Sequence, residues 1–238
     1  MTPRPKRELN PLIRTTSPLG VGPEQPPLLT PKQRSQLLAI ATKVTARKGQ
    51  VMYREGSLAT SLYICYEGMV KTYRDLPSGR RRITAFLYSR DVFGLSESGR
   101  YVNTAQTVIK STCYRIPMDV LTAVLQQDAA LQFVFLTKVT HELRQSQRRT
   151  IMLGRRDAAG RFAMFLMMMR HLGPNRPTTN VILLPMSRSD IAAYLGHSLE
   201  AVSRATAQLA SQRLITFQGR HTVRVLDMPK LEQLAADL

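Results

Sequence analysis

The sequence predicts an α+β chain in which a small antiparallel β domain is followed by a long helix and a helix-turn-helix unit. Three observations predict this order. Residues 47–117 contain β-rich runs punctuated by glycine, an apolar heptad pattern follows Asp128, and two short helical segments flank Gly196. With 238 residues, of which 43% are hydrophobic, the chain can build two modest domains, each with its own core.

The chain is expected to have four parts. Residues 1–29 contain many prolines and no steady periodicity, so we expect a flexible N-terminal arm. The other parts are a β domain with flanking helices, a long helix and a helix-turn-helix domain, expected at residues 30–127, 128–154 and 155–238.

The β domain is expected to begin with a short helix over residues 30–46, capped by Thr30. β-branched and aromatic residues then predict strands at residues 51–54, 62–66, 69–74, 82–87 and 107–109. A hairpin turn is expected at Pro77-Ser-Gly79. Many short strands at this spacing indicate a small antiparallel sandwich or barrel.

After Asp128, apolar and small residues recur in steps of three and four, which predicts a long helix with a seam along one face. The seam residues are Leu136, Val139, Leu143, Ser146, Thr150 and Leu153. We expect a dimer interface at Leu136, Val139 and Leu143, because such a seam beside a helix-turn-helix suits two-fold DNA sites. The alternative is a long helix that lies on its own domain. The methionines of a further helix, at residues 156–172, indicate core packing rather than a metal or ligand surface.

Residues 187–204 predict a helix, a tight turn at Gly196 and a second helix. The buried face of the second helix is expected to carry Val202, Ala205 and Leu209. The candidate DNA-binding residues are Leu199, Glu200, Ser203 and Arg204 on its exposed first turns, together with Arg188. This layout suits a recognition helix, whose N-terminal residues reach base edges in the major groove. Two short strands around Gly219 predict a β-wing; the alternative for the unit is an ordinary helical hairpin.

Ser187 is expected to cap the first of these helices, in a capping box with Asp190. Serine is nearly isosteric with cysteine, and a thiol beside Arg188 and close to DNA would suit a redox switch. Ser187 is therefore also a possible regulatory position.

The sequence offers no support for catalysis. Four histidines are scattered without metal-ligand spacing, and the short helical spacing of Ser187, Asp190 and His197 does not create the geometry of a catalytic triad. Cys65 is expected to be a small core residue, whereas no role is assigned to Cys113, which lies near Lys110 and Arg115. We therefore expect no enzyme activity, no cofactor, no metal site and no structural disulfide.

The chain carries 34 basic and 16 acidic side chains, a net charge of +18. Such a charge fits nucleic acid, an anionic membrane or an acidic protein partner. Residues 137–230 hold 15 of the basic and 5 of the acidic side chains, and this surplus around the helix-turn-helix favours double-stranded DNA. Because the sequence shows no membrane-length apolar run and no signal-peptide core, we expect a cytoplasmic protein without membrane contact.

These features together resemble the Crp/Fnr family of bacterial transcription regulators over about residues 30–230. The resemblance rests on Lys48-Gly-Gln-Val-Met-Tyr-Arg-Glu-Gly56, Glu67-Gly-Met-Val-Lys-Thr-Tyr-Arg74, Gly79-Arg-Arg-Arg-Ile-Thr-Ala-Phe-Leu87, Asp91-Val-Phe-Gly94 and Glu200-Ala-Val-Ser-Arg204. It implies an N-terminal β-roll like that of cyclic-nucleotide-binding domains, a long dimerisation helix and a C-terminal winged helix-turn-helix.

The details are most similar to the FixK-type regulators of low-oxygen metabolism, which include regulators of nitrogen fixation. The resemblance then implies a homodimeric activator that binds palindromic sites with TTGA-type half-sites and works with RNA polymerase. Two alternatives stay open at this stage. One is a Crp-like regulator that responds to a small ligand, and the other is a cyclic-nucleotide-like interaction module that binds DNA only nonspecifically.

The chain also departs from its relatives. Members that bind cyclic AMP carry a Gly-Glu pair and a later Arg-Ser pair, but here Gly94 precedes Leu95, and Val102-Asn-Thr-Ala105 replaces the second pair. Holding a buried phosphate without a cationic partner is costly. The oxygen sensor Fnr holds an iron–sulfur cluster through N-terminal cysteines, which the arm lacks. We therefore expect neither of these two inputs.

Overall fold

The computed structural model describes residues 29–154, 157–172, 175 and 179–236. The helices in these ranges are α1 (Pro31–Ala39), α2 (Met118–Gln127), α3 (Ala129–Gly154), α4 (Ala158–Arg170), α5 (Arg188–Leu195), α6 (Leu199–Ser211) and α7 (Met228–Ala236). The strands are β1 (Thr42–Ala46), β2 (Val51–Tyr53), β3 (Ser61–Glu67), β4 (Val70–Asp75), β5 (Arg81–Leu87), β6 (Val92–Phe93), β7 (Thr104–Thr107), β8 (Ser111–Pro117), β9 (Val181–Leu183), β10 (Ile215–Phe217) and β11 (Thr222–Val225). None of the described helices could span a bilayer.

Two four-stranded antiparallel sheets form the β-roll, with the strand orders β1-β8-β3-β6 and β2-β7-β4-β5. Alternation along β3 sends Leu62 to one face of the first sheet and Tyr63 to the other. Tyr63 faces the second sheet in an aromatic core, where the rings of Tyr53 and Tyr101 stack with centroids 3.8 Å apart. The space between the sheets is thus filled by the protein's own side chains.

Three helices cover the outer face of the first sheet. The apolar cluster between them consists of Leu29, Leu37, Leu62, Ile64, Val92, Ile116, Leu121, Leu131, Val134 and Phe135. These residues come from α1, α2, the start of α3 and the strands below. The remainder of the predicted arm, residues 1–28, lies outside the described residues.

The structure differs from the sequence prediction at the start of the β-roll. The helix predicted over residues 30–46 ends at Ala39, and β1 follows it. The edge strand β1 pairs with β8, which is distant in sequence, and such tertiary pairing overrides local helical preference. The cap prediction is confirmed, because the Thr30 hydroxyl accepts a hydrogen bond from the Gln33 backbone N–H and Gln33 reciprocates.

The strand predicted at residues 107–109 is also displaced. β7 ends at Thr107, residues 108–110 form the turn, and β8 follows as a strand at the centre of the first sheet. The sequence prediction missed β8 because the small side chains of Ser111 and Cys113 occupy two of its three buried positions, and only Ile116 is a large apolar residue there.

The winged helix-turn-helix domain packs on the outer face of the second sheet, and one continuous apolar core joins the two. The ring of Phe86 in β5 lies 5.1 Å from that of Tyr194 in α5. The Arg149 guanidinium of α3 lies 4.8 Å from the Tyr194 ring centroid and donates hydrogen bonds to the carbonyl oxygens of Ile83 and Thr84. Three elements of the chain therefore meet at Tyr194.

A largely buried ion pair lies beside this contact. The Lys71 ammonium of β4 is 2.5 Å from the Asp190 carboxylate of α5, and the two side chains are only 11% and 16% exposed. Each charge would be costly to bury alone, so the pair holds the helix-turn-helix in one orientation on the β-roll.

We expect Asp190→Asn to lower the free energy of unfolding by about 3–5 kcal/mol, because it leaves the Lys71 ammonium buried without a counter-charge. Asp75→Asn is the matched control, since it breaks the Arg81–Asp75 pair, which lies in the exposed part of the same sheet. That control should cost at most about 1 kcal/mol. Urea unfolding measures both, and equal losses would contradict the role assigned to Lys71 and Asp190.

Candidate nucleic-acid interface

The helix-turn-helix is built by two well-capped helices and one left-handed residue. The Ser187 hydroxyl accepts a hydrogen bond from the Asp190 backbone N–H at the start of α5, and Ser198 does the same for Ala201 at the start of α6. Gly196 ends α5 with φ +74°, a conformation that favours glycine. The turn predicted at Gly196 is confirmed.

The predicted capping box at Ser187 is only half formed. Its first half, the bond from the Asp190 N–H to the Ser187 hydroxyl, is present, but the Asp190 carboxylate binds Lys71 instead of reaching back to the cap. Ser187 itself is exposed at the helix start. Asp190 is engaged by Lys71, and His197 lies in the turn after α5.

The N-terminal half of α6 presents one exposed face. Leu199, Glu200, Ser203 and Arg204 lie on it, while the predicted core residues Val202, Ala205 and Leu209 are buried on the opposite side. Hydrogen bonds from its own backbone N–H and from the Ser198 hydroxyl lower the pKa of Glu200, so its carboxylate is ionised at neutral pH. The contacts of these four side chains with DNA stay a prediction.

Arg188 lies at a different place from the other candidates. Its guanidinium lies 4.2 Å from the centroid of the Phe217 ring in β10 and donates a hydrogen bond to the Thr206 hydroxyl of α6 at 3.4 Å. Burial lowers the pKa of Arg188, but an arginine stays charged at neutral pH. Arg188 therefore links α5, α6 and the wing, and its contact with DNA also stays a prediction.

The wing is a three-stranded antiparallel sheet in the order β10-β11-β9, and the two strands predicted around Gly219 are present. The turn exposes Arg220, and Arg224 is exposed on β11. These two arginines are not among the DNA-binding candidates predicted from the sequence. The hairpin signal at Gly219 beside two basic residues could have found them.

The long helix α3 buries one face and exposes another. Leu136, Val139 and Leu143 are 59%, 46% and 58% exposed. Phe133 and Ile151 extend this apolar face, whereas Leu153, the last residue of the predicted seam, packs into the chain's own core. The placement of Leu153 corrects the sequence prediction. The α3 C-terminus turns toward α4, whose Arg161 donates a hydrogen bond to the Leu153 carbonyl oxygen.

Arg161 also fixes the helix-turn-helix to this point. Its guanidinium donates a second hydrogen bond, 2.8 Å long, to the carbonyl oxygen of Leu195 at the end of α5. The predicted methionine-rich core is confirmed at α4, where Met167 and Met169 are buried and Met164 and Met168 pack against the same cluster. α4 therefore positions both the long helix and the helix-turn-helix.

Two family models match the chain. A cyclic nucleotide-binding domain matches residues 43–128, and a Crp-like helix-turn-helix domain matches residues 160–234. The chain is 30% identical over 209 residues to the transcriptional activatory protein AadR of Rhodopseudomonas palustris, with 87% of each chain covered. It is also 30% identical over 198 residues to the nitrogen fixation regulation protein FixK of Bradyrhizobium diazoefficiens, with 83% of each chain covered. The solved structure of FixK2 from Bradyrhizobium japonicum superposes with a TM-score of 0.76 at 32% identity and covers 84% of this chain and 99% of that chain.

The exposed face of α3 gives a direct test. Leu143→Glu should place an uncompensated charge in the predicted dimer interface and prevent dimerisation, and DNA affinity should fall although Leu143 lies outside the helix-turn-helix. Leu58→Glu is the control, because Leu58 is 64% exposed but lies in the β-roll. Light scattering and gel shifts measure the two effects. A Leu143→Glu protein that stays dimeric with normal affinity would show that α3 is not the interface.

The exposed face of α6 gives a second test. Arginine pairs with the O6 and N7 acceptors of guanine, so Arg204→Ala should cost about 1–3 kcal/mol at the cognate site and flatten discrimination at one base pair. Glu200→Ala should keep nonspecific affinity and lose specificity, because it removes a negative charge from a phosphate-facing surface.

The matched control is Arg220→Ala on the wing, which should weaken binding to all sequences alike, as expected for a phosphate contact. Gel shifts over single-base operator variants compare the three proteins. Uniform weakening by Arg204→Ala would make Arg204 a phosphate contact, and unchanged base preference in both α6 variants would refute the recognition-helix assignment.

Proposed function

Since the chain belongs to the Crp/Fnr family of DNA-binding transcription regulators, we propose that it is a FixK-type activator that binds palindromic sites as a homodimer. One observation carries this proposal. The helix-turn-helix exposes Leu199, Glu200, Ser203 and Arg204 on α6, while α3 exposes an apolar face that suits a second copy of the chain.

The two surfaces act together. Pairing of α3 with its copy relates two recognition helices by a two-fold axis, and an inverted repeat has the same symmetry. Arg204 and Glu200, four residues apart, project from the same face of α6 and suit guanine and cytosine respectively. The family resemblance supports half-sites of the TTGA type.

The regulated process is inferred from relatives. AadR is named a transcriptional activatory protein and FixK a nitrogen fixation regulation protein. By analogy we assign this chain to low-oxygen metabolism, which includes nitrogen fixation, with RNA polymerase as its protein partner and the cytoplasm as its location.

The β-roll is proposed to act without a cyclic nucleotide. Tyr53, Tyr63, Phe93 and Tyr101 fill the space between its sheets, and the Tyr101 hydroxyl is committed to the backbone carbonyl oxygen of Ser61 at 2.8 Å. A nucleotide would have to displace these rings, and the charged pairs that hold the phosphate and ribose in cyclic AMP-binding relatives are missing from this sequence.

A footprint on inverted TTGA-type repeats tests the proposal. Two half-sites about one helical turn apart should be protected together. The affinity should fall steeply as salt rises, because phosphate contacts release counterions. Cyclic AMP should leave the affinity unchanged.

Three results would overturn parts of this account. Protection of one half-site at saturating protein would contradict the dimer, and protection without sequence preference would favour a nonspecific interaction module. A cyclic AMP-dependent rise in affinity would contradict the proposed absence of a nucleotide input.

A further inference from the structure

The two cysteines of the chain meet in the interior of the β-roll. Cys65 of β3 and Cys113 of β8 are direct partners across the antiparallel ladder, and both are reduced thiols with 1% of their surface exposed. They lie 48 positions apart in sequence, so their spacing gave no hint of this pairing.

The backbone bonding shows which kind of cross-strand pair they form. The Cys65 N–H donates to the Asp91 carbonyl oxygen at 2.9 Å, and the Arg90 N–H donates to the Cys65 carbonyl oxygen at 2.7 Å. Both main-chain groups of Cys65 thus point away from β8, so Cys65 and Cys113 form a non-hydrogen-bonded pair. Such pairs bring the Cα atoms to about 4.5 Å and hold the side chains closer together than hydrogen-bonded pairs do. Disulfides span Cα separations of about 4.4–6.8 Å, so this pair meets the requirement.

The surroundings favour the reactive form of one thiol. The neighbouring Cys65 side chain and the Tyr66 backbone N–H stabilise the thiolate of Cys113 and lower its pKa, although burial opposes this effect. The Cys65 thiol also lies 3.9 Å from the Glu67 carbonyl oxygen. A register shift between Cys65 and Glu67 interrupts the ladder next to the pair.

We propose that Cys65 and Cys113 are a redox-active dithiol that a peroxide oxidises to an intramolecular disulfide. The Cys113 thiolate attacks one oxygen of the peroxide, and the O–O bond breaks. Hydroxide departs, and Cys113 becomes a sulfenic acid. The Cys65 sulfur attacks the Cys113 sulfur, the S–S bond forms as the S–O bond breaks, and the hydroxyl group leaves as water. Overall, two thiols lose two electrons and one hydrogen peroxide is reduced to two molecules of water.

The cysteine pair is connected to α3 through Asp91, whose carbonyl oxygen accepts the hydrogen bond from the Cys65 N–H. The Asp91 carboxylate accepts a hydrogen bond from the Tyr88 backbone N–H at 2.8 Å and lies 3.7 Å from the ammonium of Lys138, a fully buried residue of α3. A disulfide draws two sulfur atoms to about 2.05 Å, closer than any contact between thiols. The resulting shift of β3 at Cys65 acts on the turn that holds Asp91 against Lys138. Oxidation therefore weakens the packing of α3 against the β-roll, and this in turn weakens dimerisation and DNA binding. This regulatory part rests on the proposed function.

The chemical part is tested on reduced full-length protein titrated with hydrogen peroxide, without DNA. Intact mass should fall by two hydrogen atoms, both cysteines should resist alkylation after unfolding, and a peptide linking Cys65 to Cys113 should appear. Dithiothreitol should reverse all three changes. Cys65→Ala should instead gain oxygen atoms at Cys113. Thiols that stay alkylatable, oxygen adducts alone on the wild type, or a disulfide between two chains would each overturn the proposal.

The regulatory part is tested by gel shift with the reduced and oxidised forms. The operator Kd should rise on oxidation and return with dithiothreitol, whereas peroxide should leave the Kd of the Cys65→Ala, Cys113→Ala double variant unchanged. An unchanged or lower Kd in the oxidised wild type would overturn the coupling. If the reduced protein showed no sequence-specific binding, the proposed function would be wrong. The mass measurement would still show whether the disulfide between Cys65 and Cys113 forms.

Discussion

The exposed apolar face of α3 is the constraint on which the rest of the molecule depends. The large apolar side chains on this face are Phe133, Leu136, Val139, Leu143 and Ile151. One chain cannot bury them, because the opposite face of the same helix is already fixed to the β-roll through its own buried residues. We propose that a second copy of the chain covers this face in a two-fold arrangement. The separation and orientation of two recognition helices are then set by the geometry of one helix pair.

This geometry is useful only if α6 is held rigidly relative to α3. Two arginines provide the connection. Arg161 joins the ends of α3 and α5 through two backbone carbonyl oxygens, and Arg149 joins α3 to β5 and to the ring of Tyr194. The Lys71–Asp190 pair adds a third link, from the β-roll to α5. A change in the β-roll can therefore reach the DNA-binding surface through packed elements, although the β-roll has no contact with DNA in the proposed complex.

The sequence predicted what depends on local pattern and missed what depends on distant partners. The exposed and buried faces of α6 follow from helical periodicity alone, so Arg204 and Val202 were placed correctly. The strand β1 was predicted as helix because its partner β8 lies far along the chain. The capping box failed because Asp190 binds a lysine 119 residues away. The pairing of the two cysteines was invisible for the same reason, since it requires the register of β3 on β8.

The most direct measurement of the central claim is the stoichiometry of the DNA complex by native mass spectrometry. The account predicts two chains on one palindromic duplex. At the same protein concentration, it predicts a large loss of the complex when one half-site is scrambled, because both recognition helices contribute to binding. A stable complex of one chain with one duplex, equally populated on the intact and the scrambled site, would contradict it.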